Sequence, residues 1–327
     1  MGGLVLAIEQ TTQIRIRPSG RVRWRRLGGS LALGYGLVLP ALVLLATFTY
    51  FPALLVAVIS LYHWNLAGFG ASQWVGLLHY EQLLNPISGF LQSLTVTAYY
   101  SGVMVPATIG LGLLLAWLLQ GSTRRKTPGL TFFRAAVFLP YVTPTIATSI
   151  VWVFIFNPQF GLANAMLTAL HLPALQWLTS TTWAMPAVMI NNLWHNLGFS
   201  VVLFLAGLAN VPPETMEAAQ LDGASGAQTF WHVVLPLLSP VLLFVVIVTT
   251  IQSMQTFGPI YAMTGGQFGG GGGPLGSTTT TAVYLYKSAF IDFHYSYGAA
   301  VSVVLFLIIF ILTMIQHRLG ERFTFYQ

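Results

Sequence analysis

Long runs of the chain carry no charged side chain. No Asp, Glu, Lys or Arg occurs in residues 27–80, 82–123 or 135–213. An α-helix needs about 20 apolar residues to cross the roughly 30 Å hydrocarbon core of a bilayer. Because lipid cannot hydrogen-bond to the backbone, such stretches are predicted to be helices. Six stretches are long and apolar enough, at approximately 31–60, 91–119, 132–156, 184–209, 233–256 and 297–316.

The composition supports a membrane protein. Only 6% of the 327 residues are charged and 55% are hydrophobic, with a mean hydropathy of +0.74. A soluble domain carries about 25% charged residues, so the uncharged runs cannot supply a surface for water. Membrane bundles tolerate proline inside a helix, and kinks are expected at Pro40, Pro106, Pro140, Pro144 and Pro186.

The distribution of basic residues predicts the orientation of the six helices. Cytoplasmic loops of membrane proteins are enriched in Lys and Arg. If the N-terminus is cytoplasmic, twelve of the thirteen basic residues lie inside and only Lys287 lies outside. The predicted fold class is an all-α membrane protein with six transmembrane helices and both termini cytoplasmic. Segments 61–90, 157–182 and 257–296 are then the outer loops.

The N-terminal segment carries six arginines just before the first apolar stretch. This position is typical of charge that keeps a terminus in the cytoplasm, and contact with lipid headgroups is also expected. The net charge of +6 therefore does not indicate nucleic-acid binding. A cleaved signal peptide is disfavoured, because its apolar run spans only about 7–15 residues. We predict a basic segment 1–30, a six-helix domain 31–316 and a cytoplasmic tail 317–327.

Residues 210–232 form a polar segment between two apolar stretches. They include Glu214, Glu217 and Asp222, three of only seven acidic residues, and no basic residue. A Pro-Pro pair can open a helix here, with acidic residues near its start complementing the helix dipole. Gly223 can end this helix in the left-handed conformation. The sequence predicts a short cytoplasmic helix between transmembrane helices 4 and 5, which is either an ordinary connection or a docking helix for a partner.

This segment resembles the signature loop of permeases in binding-protein-dependent ABC importers, in the branch that takes up maltose, oligosaccharides and glycerol-phosphate. The resemblance rests on Glu217-Ala218-Ala219, Asp222-Gly223-Ala224, Leu235-Pro236 and Pro240 at intact spacing. Similarity extends over most of the chain through Phe138-Leu139-Pro140-Tyr141, Phe156-Asn157-Pro158, Trp74-Val75-Gly76-Leu77 and Tyr297-Gly298-Ala299-Ala300. The expanded glycine run 269–273 departs from the family, which usually has a tighter Gly-Gly-Pro turn there.

The resemblance implies a transporter subunit and not an enzyme. Two similar permease subunits would form the pathway in a bacterial or archaeal cytoplasmic membrane, above two ATP-binding subunits. An extracytoplasmic binding protein would deliver a sugar. No cofactor is expected in this chain, because ATP and Mg would be bound by the partner ATPase. The segment 214–226 would contact that ATPase as a coupling helix through Glu214, Glu217, Ala218, Ala219, Asp222 and Gly223.

Polar residues inside spanning helices usually face the interior of the bundle. Residues 192, 196 and 199 would share one face of a helix, as would 249, 253 and 256. Amide and hydroxyl groups beside an aromatic ring suit a neutral di- or oligosaccharide or a related polyol, and the alternative is that they only join helices. Matched to the family through the signature loop, the residues at sugar-lining positions of the maltose-type permease are Asn192, Asn196, Phe199, Thr249 and Ser253.

Other functions have less support. A secondary transporter is expected to carry carboxylates in its spans, and none of the six stretches contains Asp or Glu. Glycerol-phosphate or a phosphodiester stays open as the substrate of the same importer type. The glycine run is followed by Pro274-Leu275, where a nucleotide-binding P-loop needs Lys-Ser/Thr. His195 is interpreted as a hydrogen-bonded packing residue, and the chain shows neither a cysteine nor a metal-ligand spacing.

Overall fold

The chain folds almost entirely into helices. The computed structural model describes residues 24–65, 68–124, 129–265 and 272–322. Most of the predicted basic segment 1–30, three glycines of the run 269–273 and the last five residues of the predicted tail lie outside this range.

Fifteen α-helices follow one another along the described residues. In chain order they are α1 (Trp24–Leu45), α2 (Phe51–Ile59), α3 (Leu78–Leu84), α4 (Phe90–Arg124), α5 (Leu130–Val142), α6 (Thr145–Ile155), α7 (Leu162–Ala169), α8 (Ala184–Ala209), α9 (Pro213–Leu221), α10 (Gly226–Thr229), α11 (Leu235–Leu237), α12 (Ser239–Met254), α13 (Gly258–Ile260), α14 (Thr281–Tyr286) and α15 (Tyr295–Glu321). Segments with π-helical hydrogen bonding are Ala46–Tyr50, Phe230–Val234, Tyr261–Gly265 and Lys287–Ile291. Short 3-10 turns lie at Phe69–Ala71, Pro86–Ser88 and Pro274–Gly276.

Between four and six of the predicted spans are present among the described residues. Four helices are long and apolar enough to cross a membrane, at Tyr35–Ile59, Phe90–Gly121, Ala184–Ala209 and Tyr295–Glu321. They coincide with the first, second, fourth and sixth predicted stretches. The third and fifth stretches each correspond to two helices that meet at a sharp bend. The chain is thus a mostly helical, multi-pass membrane protein.

The first span begins in a compact unit that ends at Leu54, and the rest of the chain forms a second unit. In the first unit, α1 continues through the π-helical segment Ala46–Tyr50 into α2, and Pro40 lies inside α1 without interrupting it. Every residue from Tyr35 to Leu54 is exposed. A helix that is apolar on all sides needs lipid or other membrane helices around it.

Pro144 explains the break in the third predicted stretch. The residue before a proline is driven into the extended conformation, and Thr143 has φ −78° and ψ 149°. The helix α5 therefore ends at Val142, and α6 starts at Thr145 after a bend of 102°. Pro106, by contrast, lies inside the uninterrupted α4.

The fifth predicted stretch contains a sharp bend. Residues 233–237 belong to the helical segment 226–237, and α12 begins at Ser239 after a bend of 73°. Val234 and Leu238 are completely buried within the protein. The bend therefore lies in a packed protein core, and hydropathy alone does not reveal it.

The segments predicted as outer loops contain ordered structure. In segment 61–90, β1 (Tyr62–His63) pairs antiparallel with β2 (Gln73–Trp74) ahead of α3. Segment 157–182 contains α7. Segment 257–296 was predicted as a loop, but most of its described part is helical, and Ile260, Met263 and Val283 pack in a buried cluster with Val188 of α8.

Three helices, α4, α8 and α12, form the centre of the second unit. A Cβ at Gly112 of α4 would lie 2.5 Å from Ser200 Oγ, and a Cβ at Gly207 of α8 would lie 2.7 Å from Leu238 Cδ2. Small residues thus let the helices approach closely, as is common in membrane bundles. A buried cluster, which we name the three-helix cluster, joins them through Ala116, Phe204, Leu208, Val211, Met216, Val234, Leu238 and Val245.

Candidate functional site

A small polar cavity lies between α4, α8 and the end of α12. Its volume is about 40 Å³, and all five residues predicted from the sequence to line a substrate path are at its wall. The lining residues are Tyr100, Met104, Thr108, Asn192, Asn196, Phe199, Thr249, Gln252, Ser253 and Thr256. The helical spacings of 192, 196 and 199 and of 249 and 253 therefore do bring these side chains together.

Asn192 is the centre of the hydrogen bonding in this cavity. Its Nδ2 donates to Tyr100 Oη at 2.5 Å and to Thr256 Oγ1 at 3.4 Å. Asn196 Nδ2 donates to the backbone oxygen of Asn192 at 2.9 Å. Asn192 is 2% exposed and Ser253 is 6% exposed, so these polar groups are buried. Polar side chains buried in a membrane protein form hydrogen bonds because an unpaired group is costly there.

The α4 wall of the cavity was missed by sequence reasoning. Tyr100, Met104 and Thr108 follow one another at four-residue spacing on α4. Thr108 is 3% exposed, and its Oγ1 has no hydrogen-bond partner among the described residues. The signal was the face shared by these three positions, but aromatic and hydroxyl residues also occur singly in any span.

The cavity wall consists of uncharged groups. The ten lining residues provide amides, hydroxyls, one thioether and the Phe199 ring, with no Asp, Glu, Lys or Arg among them. Such groups can exchange hydrogen bonds with a neutral polyhydroxylated molecule. Ligand pockets commonly measure about 300–1,000 Å³, so this cavity of about 40 Å³ is much smaller than a typical ligand pocket. Among the described residues, no group of three His, Cys, Asp or Glu could hold a metal ion.

A buried layer of hydroxyl groups continues from the cavity. Thr280 Oγ1 donates to the backbone oxygen of Thr256 at 3.0 Å, and Thr281 Oγ1 lies 3.0 Å from Thr97 Oγ1. Thr97, Thr280 and Thr281 are completely buried. This layer joins α14 to α4, and it was not predicted because residues 257–296 were interpreted as a loop.

The predicted short helix is α9, and its ends follow the residues that predicted them. Pro213 occupies its first turn with Glu214, and no side-chain cap is present. Gly223 has φ +81°, and Gly223 N donates to Gln220 O at 3.1 Å while Ala224 N donates to Ala219 O at 3.0 Å. These two bonds are those of a Schellman motif, which ends a helix at a left-handed glycine.

The two sides of α9 have different surroundings. Glu214, Glu217, Ala218, Asp222 and Gly223 are exposed, whereas Ala219 is 8% exposed. Five of the six residues predicted to contact an ATPase thus form an accessible acidic surface. The sixth, Ala219, faces the protein interior.

A second buried residue of α9, Met216, connects this helix to the cavity helices. Met216 is 6% exposed and belongs to the three-helix cluster. The cluster also contains Ala116 of α4, Phe204 of α8 and Val245 of α12. The same three helices carry the cavity wall, so α9 and the cavity share one packed core.

The next helical segment starts with a capping box. Ser225 Oγ accepts from Gln228 N, and Gln228 Oε1 accepts from Ser225 N at 2.8 Å. A capping box satisfies two backbone donors at a helix start. The turn from Gly223 to Ser225 is thus fixed at both ends, and α9 and α10 form one defined surface element.

The fold is that of a multi-pass membrane protein, and comparison with known proteins places the chain in a transport family. Residues 108–325 match the family described as binding-protein-dependent transport system inner membrane component, and the chain belongs to this family. It is 32% identical to the sn-glycerol-3-phosphate transport system permease protein UgpA of Agrobacterium fabrum, over 89% of this chain and 95% of that protein.

One further relative agrees with this membership, and one solved structure shows the same fold. The chain is 32% identical to the trehalose/maltose transport system permease protein MalF of Thermococcus litoralis, over 88% of this chain and 94% of that protein. A solved bacterial alginate ABC transporter in complex with an alginate pentasaccharide-bound periplasmic protein superposes with a TM-score of 0.77. The match covers 93% of this chain and 99% of that chain at 20% identity, which establishes the shared fold.

Proposed function

We propose that the chain forms half of the translocation pathway of an ATP-driven importer for a neutral sugar. The observation that carries the proposal is the wall of the cavity, which presents amides, hydroxyls and two aromatic rings in a chain of this transport family. A second, homologous permease subunit would supply the other half. A cavity of about 40 Å³ then corresponds to a closed state of this half of the pathway.

A phosphorylated substrate is the second candidate, because one relative is a permease protein for sn-glycerol-3-phosphate. A phosphate group is usually held by Arg, Lys or helix N-termini. The ten lining residues include neither Arg nor Lys, which favours a neutral di- or oligosaccharide.

In proteoliposomes that contain the whole importer, we expect ATP-dependent uptake of labelled maltose or trehalose. Exclusive uptake of sn-glycerol 3-phosphate would overturn the assignment of a neutral substrate.

Substitutions that remove single polar groups from the cavity wall test its role in uptake. Asn192→Ala, Thr249→Ala, Ser253→Ala and Tyr100→Phe should each lower uptake by a few-fold to about tenfold, since a lost hydrogen bond costs about 0.5–1.5 kcal/mol. Assembly of the complex should be unchanged. Initial uptake rates and co-purification of the subunits measure the two effects.

Thr95→Ala is the matched control for these variants. Thr95 lies on α4, as Tyr100 does, but it is exposed and its hydroxyl donates only to Gln92 O within its own helix. Its uptake should equal that of the unaltered chain. If the cavity variants also transport at the unaltered rate, alone and combined, their side chains only join helices.

We further propose that each bent helix pair counts as one span, which gives six spans with both termini cytoplasmic. The distribution of the thirteen basic residues supports this topology. It places α9 on the cytoplasmic side and the β1–β2 hairpin outside, in a bacterial or archaeal cytoplasmic membrane. An extracytoplasmic binding protein would then meet the outer segments, and the alginate transporter of the same fold was solved in complex with a periplasmic protein.

Single-cysteine labelling tests the topology, since the chain has no cysteine of its own. Cysteines at the exposed positions Ala71, Thr179 and His294 should react with an impermeant thiol reagent added to intact cells. Cysteines at the exposed positions Ala227 and Arg322 should react only after the membrane is opened. The reverse pattern would contradict the orientation.

The ATPase belongs to other subunits in this proposal. Two ATP-binding subunits with Mg and ATP would lie beneath the two permeases, and each would receive the coupling helix of one permease. The exposed acidic side of α9 and its buried Met216 support this role. The bound nucleotide shifts the balance between the inward-facing and outward-facing states of the importer. In this proposal, α9 connects the ATPase mechanically to the membrane helices.

A further inference from the structure

The helix α8 has two neighbouring sides with different contacts. Asn192 and Asn196 are on the side that lines the cavity. Asn191, His195 and Gly198 are on the side that contacts the broken segment formed by α5 and α6. The break in the third span and the cavity are therefore held by the same helix.

His195 contacts the break itself. Its Nε2 lies 3.1 Å from the backbone oxygen of Thr143 and 3.3 Å from Thr145 Oγ1. A carbonyl oxygen only accepts hydrogen bonds, so Nε2 carries the hydrogen. Thr143 is the extended residue between the two helices, and His195 is 5% exposed. The hydrogen bond thus satisfies the buried carbonyl group of Thr143 at the point where the helix is interrupted.

Contacts on both sides of this bond connect it to the cavity wall. The Tyr141 ring at the end of α5 stacks on Phe199, with ring centroids 5.2 Å apart, and Phe199 lines the cavity. On the α6 side, Asn191 Nδ2 donates to Ser149 Oγ at 2.9 Å. The position of the break therefore determines what supports the Phe199 ring.

We propose that His195 is a positioning residue for transport. Its Nε2–H holds the break at Thr143 against α8, and this keeps Tyr141 stacked behind Phe199 in the cavity wall. His195 does not line the cavity, so it acts through Tyr141 and Phe199 and not on the substrate. The part of this inference that concerns uptake rests on the proposed function of the cavity.

Substitution of His195 by Asn or by Gln distinguishes the loss of this hydrogen bond from a general loss of packing. The amide nitrogen of Gln reaches the position of a histidine Nε2, whereas that of Asn reaches only the position of Nδ1. His195→Asn should therefore lose the bond to Thr143, and His195→Gln should keep it. His171→Asn is the control, since His171 is exposed and has φ +57°, a conformation that Asn tolerates.

The experiment uses the purified whole importer and measures amide hydrogen exchange of the segment 139–150, together with uptake of labelled maltose. We expect exchange to be about three- to tenfold faster and uptake about three- to tenfold lower in His195→Asn, which is the effect of one lost hydrogen bond. His195→Gln and the control should stay within about twofold of the unaltered chain for both measurements.

Unchanged exchange in His195→Asn would overturn the proposal, as would equal impairment in His195→Gln. Faster exchange with unchanged uptake would overturn the role in transport. Exchange is measured without substrate, so it stays informative if the importer takes up no maltose at all. In that case the substrate class proposed above is wrong, and uptake is measured with sn-glycerol 3-phosphate.

Discussion

Glu217→Lys and Gly223→Val are each expected to abolish uptake while the chain still inserts into the membrane. Glu217 is exposed on α9, and its carboxylate would meet positive or donor groups of the ATPase. In the complex this contact would be buried, and truncating a buried contact between charged groups costs about 2–5 kcal/mol of binding free energy. Reversing the charge adds electrostatic repulsion. The ATPase should be released or hydrolyse ATP without transport.

Gly223 acts through the backbone. Its φ of +81° is a conformation that costs roughly 1–2 kcal/mol for an ordinary L-residue, and more for a β-branched one. A Cβ at this position would meet nothing within 4 Å, so the effect comes from strain and not from a clash. Valine should therefore disrupt the Schellman motif and reorient the surface formed by α9 and α10.

Gly226→Ala and Glu81→Lys are the matched controls. Gly226 is three residues further on, has no positive φ, and a Cβ there also meets nothing within 4 Å. Glu81 is exposed on α3, which the proposed topology places outside the cell. Co-purification of the ATPase and substrate-stimulated ATP hydrolysis in liposomes measure the result. Normal values for both Glu217→Lys and Gly223→Val would refute the coupling role of α9.

Sequence patterns predicted those helices and turns that are determined by a single continuous stretch of residues. The fourth predicted stretch, 184–209, has the same bounds as α8, because an uninterrupted apolar run is itself the cause of a spanning helix. The left-handed Gly223 was also predicted, because a glycine after a short polar helix is the usual signal for a helix end.

Features that depend on how helices meet were not predictable in the same way. Hydropathy did not reveal the bend in the fifth stretch, nor that Val234 and Leu238 beside it are buried against α4 and α8 in the three-helix cluster. Five lining residues of the cavity were found, since α8 and α12 carry dense polar faces. Tyr100 was not, because its place in the cavity depends on the crossing of α4 with α8, which the close approach at Gly112 allows.

Gly198→Ala is expected to destabilise the complex or to prevent its assembly, although alanine ordinarily favours a helix over glycine by about 0.5–1 kcal/mol. A Cβ at Gly198 would lie 2.5 Å from Val137 O and 2.9 Å from Phe138 Cα. Both are backbone atoms of α5, which cannot rotate away as a side chain can. Overpacking of this kind typically costs about 1–3 kcal/mol, and here it acts where α5 lies across α8.

Gly110→Ala is the control, and its expected effect on the melting temperature is absent or of opposite sign. Gly110 lies inside α4, is exposed, and a Cβ there would meet nothing within 4 Å. The same added methyl group should leave the melting temperature of the purified complex unchanged or raise it, whereas Gly198→Ala should lower it or yield no complex. Because the close approach of α5 to Gly198 also sets Tyr141 against Phe199, any complex that does form with Gly198→Ala should transport more slowly. Equal melting temperatures for the two variants would mean that α5 does not pack on α8 at this distance.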